Sequence, residues 1–150
     1  MSPIINKPHL IFWISIPIMI LLGQIHGDNI LIIGVYDTSI AIANNYLAYL
    51  ISIFFVLIGF GYWLIYKFKH QLSNWLNLLH IVITVGGFLT VLMIGLIFGY
   101  SPIESENTYS NTLRINSKLI NLLLTIILGQ LIYLTNIIIG LIRKRNITNG

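Results

Sequence analysis

The sequence predicts an all-α fold: an integral membrane bundle of four transmembrane helices forming a single domain over residues 1–150. Composition is the first reason. Of 150 residues 57% are hydrophobic and 8% charged, and the mean hydropathy is +0.89. Soluble domains carry roughly 25% charge, so lipid must be the solvent for most of this surface. The second reason is four apolar runs, each able to cover a hydrocarbon core that needs about 20 helical residues. The third is the placement of the basic residues in short clusters beside those runs.

The first helix is expected over about 8–27. Lys7 and the apolar run after it have the outline of a signal peptide, but the exit reads Gln24-Ile25-His26-Gly27 and offers no small-x-small site, so a retained helix is expected. Pro17 lies inside it and removes one backbone donor. The second helix is expected over about 39–67, with Asp37, Thr38 and Ser39 capping its start and Asp37 facing the positive dipole end. The third is expected over about 73–100 and the fourth over about 118–142. Between them, residues 101–117 are polar and read as an exposed loop. Transmembrane strands are about 9–11 residues long and alternate polar with apolar, which these runs do not; helices satisfy every backbone group internally, as lipid demands.

Charge predicts the orientation. Lys7, Lys67, Lys69, Arg143, Lys144 and Arg145 share one face of a chain that crosses four times; Arg114 and Lys118 lie on the other. The positive-inside rule puts both termini in the cytoplasm, and the expected location is a bacterial inner membrane. Trp13, Trp63, Tyr66 and Trp75 fit an inner aromatic belt, Tyr36 and Tyr100 an outer one. The net charge of +4 does not suggest nucleic acid as a partner, because the basic residues do not line one exposed face. The chain has no cysteine, which excludes disulfides and thiolate chemistry.

Polar residues inside a membrane are the places to look for function. His80, on the third helix, is expected to bond Asn136 on the fourth. Asn44 and Asn45 on the second helix, with Gln24 and Asn121 at similar depth, are expected to form an interhelical amide cluster. Gln130 lies near the middle of the fourth helix and needs a partner. His26 and His80 cannot share one heme iron, being on the order of 20 Å apart in depth. His9 and His70 are expected to be interfacial and solvated. Glycines at GxxxG spacing, Gly23 with Gly27 and Gly95 with Gly99, mark close helix approach. No catalytic, cofactor-binding or metal-ligating residue is assigned, and no cofactor is expected; Asp37, Thr38, Asn44, Asn45, His80, Gln130 and Asn136 are structural candidates.

The segment from Asp28 to Trp63 resembles the entry to the tenth helix of heme–copper oxidase subunit I. Asp37-Thr38 matches that family's Asp-Thr, Ala43 its alanine before the first histidine, and Gly59 and Trp63 its trailing stretch. Leu79-His80 and Gly87 resemble its eleventh helix. The resemblance implies ancestry and a place in the respiratory membrane. It does not imply oxidase chemistry, because Asn44 and Tyr46 stand where the family has heme-ligating histidines, and Tyr36 replaces the histidine before Asp-Thr. The expected function is that of a noncatalytic membrane protein packing against other membrane proteins, among them a respiratory oxidase. The competing readings are a heme or redox protein completed by oligomerisation and a small transporter.

Overall fold

The computed structural model describes residues 7–25, 27–35, 38–68, 70–99 and 109–142. They form helix α1 (Pro8–Gln24), strands β1 (Ile30–Val35) and β2 (Thr38–Ala43), helices α2 (Asn44–Lys67) and α3 (Asn74–Ile81), a π-helical turn (Val82–Gly86), and helices α4 (Gly87–Phe98) and α5 (Tyr109–Ile142). The fold is mostly helical. Among the described residues three helical runs are long and apolar enough to cross a membrane: Asn44–Lys67, Asn74–Phe98 and Asn116–Ile142. The 17 residues of α1 are a shorter apolar helix.

Pro8 opens α1, where its missing N–H costs nothing. The helix then lies antiparallel along α2. His9 meets Tyr66 at 5.2 Å between ring centroids, Phe12 meets Tyr62 at 5.9 Å and Phe55 at 5.4 Å, and Trp13 rests on Gly59. Further along, Gly23 lies against Ala48 so closely that any side chain there would collide with the alanine methyl. Aromatic rings fill one end of this pair and small residues close the other. The buried face of α2 carries Ala48, Ile51, Phe55, Ile58, Tyr62 and Ile65 at helical spacing.

The predicted third helix is one continuous run built from α3, the π turn and α4, all with right-handed dihedrals at the junctions. It packs on α5 through two close approaches. The space at Gly87 is filled by Ile126, and the space at Gly129 by Ile83 of the π turn. Outward, α5 shows Leu124, Ile127, Leu128, Leu131, Leu134 and Ile138, all more than half exposed. This is an apolar face compatible with a membrane-spanning helix.

Two expectations are corrected. The fold is not purely helical: β1 and β2 pair antiparallel in an unbroken register from Ile30↔Ala43 to Val35↔Thr38. Thr38 and Ser39 therefore belong to a strand, and α2 starts at Asn44 with Ala43 as its N-cap. Thr38-Ser39-Ile40-Ala41-Ile42-Ala43 alternates isoleucine with small residues, a period of two, and faces a β-branched partner across a two-residue connection. Ladder bonds outcompete the hydroxyl cap. The proposed Asp37 cap lies outside the described residues. Secondly, α5 begins at Tyr109, inside the stretch read as a loop.

Candidate functional site: a buried polar network

His80 is fully buried, and both of its ring nitrogens are engaged. The proton positions follow from one backbone carbonyl. Gln130 Nε2 lies 2.9 Å from the carbonyl oxygen of Ile126, which can only accept. The amide nitrogen is thereby assigned, and Gln130 Oε1 must be the atom facing His80 Nε2 at 3.2 Å. That oxygen also only accepts, so Nε2 carries the ring proton. In the neutral ring Nδ1 is bare, and the Tyr62 hydroxyl donates to it across 3.0 Å. The second proton on Gln130 Nε2 goes to Thr84 Oγ1 at 3.2 Å. One directed chain of hydrogen bonds thus runs Tyr62 to His80 to Gln130 to Thr84. It joins α2, α3, α5 and the π turn.

Aromatic rings enclose this chain. Tyr133 stacks on His80 at 5.2 Å and 26°, Phe12 of α1 approaches it at 5.4 Å, and Tyr62 meets Tyr133 edge-on at 4.9 Å.

A second knot lies one to two turns away. Asn136, also fully buried, accepts the Ser73 N–H at 3.0 Å through Oδ1. Its Nδ2 donates to Asn77 Oδ1 at 2.7 Å and to the Ser73 carbonyl at 3.4 Å. Ser73 is the N-cap of α3 and provides no side-chain cap of its own. Asn136 satisfies the N–H of Ser73 itself from another helix, tying α5 to the start of α3.

The expected His80–Asn136 bond is therefore not made: His80 pairs with Tyr62 and Gln130, and Asn136 with Ser73 and Asn77. Asn136 lies about five and a half turns along α5 from Asn116, which meets the hairpin, and so beyond the level of His80. The expected amide cluster is not formed either. Gln24 donates to the Tyr49 hydroxyl at 2.7 Å, Asn45 Oδ1 accepts the Tyr46 N–H at 2.7 Å, and Asn121 is exposed. Asn44 is 1% exposed, fills the space beside Gly95, and has no partner for either amide atom. Its backbone N–H instead bonds the Asn29 carbonyl at 3.0 Å. His9 is buried between Trp13 and Tyr66 rather than solvated. His26 lies outside the described residues.

Tyr62, Asn77, Thr84 and Tyr133 were not singled out from sequence. The signal was present: Asn77, His80 and Thr84 fall on one helical face, as do Gln130, Tyr133 and Asn136. Among the described residues no three His, Asp or Glu side chains come together as a metal site would require. No protein family, no curated protein and no solved structure matches the chain.

Proposed function

We propose that the chain is a noncatalytic integral membrane protein that crosses the membrane four times and acts by packing its helices against other membrane proteins. The observation that carries this reading is the internal closure of the His80 network. A buried histidine with both nitrogens bonded within the chain, enclosed by Phe12, Tyr62 and Tyr133, holds helices together and presents no open ligand position. The fourth crossing is supported by α1, which runs beside α2 from His9 against Tyr66 to Gly23 against Ala48. Six of the eight basic residues on one side support cytoplasmic termini in a bacterial inner membrane.

The respiratory oxidase is the first partner to test, on the residues that resemble its subunit I: Asp37-Thr38, Ala43, Gly59, Trp63 and His80. The strand at Thr38–Ala43, where that family has helix, confines this part of the proposal to ancestry and location. Reporter fusions at the C-terminus and within residues 101–108 test the topology; an outward C-terminus overturns it. Blue-native electrophoresis of the tagged chain with the terminal oxidase tests the partner, which comigration supports and separate migration removes. A stoichiometric heme whose Soret band disappears on His80→Ala would overturn the noncatalytic reading.

A further inference from the structure

We propose that two copies of this chain pair through the open edge of β2, forming a four-stranded sheet with Ile40 on the two-fold axis. The phase of the β1–β2 ladder is known from its ends. Gly34, the partner of Ser39, turns its N–H and C=O away from β2 and onto the Asn116 side chain, at 2.9 and 2.8 Å. Gly34↔Ser39 is therefore a non-hydrogen-bonded pair, and Ser39 points its own N–H and C=O outward as well. At the other end the Asn44 N–H bonds the Asn29 carbonyl, continuing the alternate, bonded set. Along β2 it follows that Ser39, Ala41 and Ala43 carry the outward backbone groups, Ala43 at the point where α2 begins.

The two edges of the hairpin are treated differently. Asn116 of α5 covers β1 with an amide that imitates a neighbouring strand. Among the described residues none covers Ser39 or Ala41 of β2 in this way. The β2 edge has no charge, no proline and no bulge, and Ser39, Ile40 and Ala41 are exposed, Ile40 to 60%. Edges of this kind pair unless something blunts them.

A second copy fits this edge by symmetry. Antiparallel pairing of β2 with its copy, centred on Ile40, places Ser39 opposite the copy's Ala41. All outward groups of both residues are then used, in four hydrogen bonds. Ile40 meets its own copy as a non-hydrogen-bonded pair, about 4.5 Å apart at Cα, and each covers the other. The axis is also compatible with one membrane. Gly87 meets Ile126 and Ile83 meets Gly129, and carrying that spacing back along α5 puts Asn116 level with Leu96. Asn29 lies beside Leu96 at one end of β1, and Gly34 beside Asn116 at the other. The hairpin therefore runs across the end of the bundle, with Leu31, Ile33 and Ile42 turned inward into a core cluster. A two-fold perpendicular to such a sheet is parallel to the helices, so both copies keep the same orientation in the bilayer.

The experiment uses the full chain, which has no native cysteine. Light scattering in detergent, corrected for bound detergent, should give a dimer. Ile40→Cys should form a disulfide dimer on mild oxidation, because a pair about 4.5 Å apart lies within the range of roughly 4.4–6.8 Å that disulfides span. Leu128→Cys, on the exposed face of α5, should not. Ala41→Pro removes only an outward N–H, so the hairpin should persist by circular dichroism while the mass falls to that of a monomer. A wild-type monomer overturns the proposal. So does a dimer that survives Ala41→Pro and leaves Ile40→Cys unlinked, since it pairs through another surface. These masses are read in detergent and do not depend on topology or on the oxidase, so this proposal and the functional reading can fail separately.

Discussion

Replacing Gln130 by leucine tests whether the His80 network holds the bundle together. Leucine has about the same bulk and keeps helix propensity, so the backbone of α5 should be unaffected. What disappears is the acceptor for His80 Nε2–H and the donor to Thr84 Oγ1. His80 is 0% exposed, so its ring proton has no water to turn to. Leaving a buried donor unpaired costs about 1–3 kcal/mol. Interhelical hydrogen bonds in membranes are worth less, about 0.6 kcal/mol on average with a maximum near 1.7, because the unfolded chain in lipid also finds partners. A loss of about 1–2 kcal/mol is expected between these bounds. The assay is reversible unfolding in mixed micelles by SDS titration, followed by circular dichroism. In a His80→Phe background the same Gln130→Leu change should cost less than about 0.5 kcal/mol, giving a coupling of about 1 kcal/mol. Strictly additive costs would refute the reasoning, since two residues that do not share a bond show no coupling.

Three further outcomes follow from the same geometry. Asn136→Ala should lower stability by about 1–3 kcal/mol, since it removes the acceptor for the Ser73 N–H and a donor to Asn77 Oδ1, whereas Asn44→Ala, which removes an amide with no partner, should be neutral or stabilising in the same titration. Gly87→Ala should cost about 1–3 kcal/mol, because its methyl would stand 2.6 Å from Ile126 Cγ1; Gly86→Ala, with nothing within 4 Å, should be tolerated, and equal melting temperatures for the two would contradict the packing. Asn116→Leu should free the edge of β1, speeding hydrogen exchange at the Gly34 amide while the amides of Ile33 and Ile40, inside the ladder, stay protected.

The helices were legible because a helix long and apolar enough to cross a membrane is displayed openly in sequence, as a long apolar run with its charges at the ends. The hairpin was not, although its alternation is visible in Thr38–Ala43. There a hydroxyl cap and a ladder compete for the same backbone donors, and the ladder forms only because Ile30–Val35 is opposite. That is a pairing between segments, which a local pattern of cap residues does not contain.

The partners of His80 were missed for a related reason. Depth alone suggested Asn136, but depth fixes one coordinate of three. The face of each helix fixes the others. His80 shares its face with Thr84, and Gln130 shares its own with Tyr133, so the two pairs meet as a unit when α3 and α5 come together. Asn136, further along α5, is then left level with Ser73 and Asn77 at the start of α3. Asn44 shows the opposite case. It lies at a depth shared with other amides, yet Gln24 and Asn45 turn to Tyr49 and to the Tyr46 backbone, and Gly95 offers no side chain. Burial without a facing partner leaves both its amide atoms unbonded, and so its removal should cost little beside that of Gln130 or Asn136.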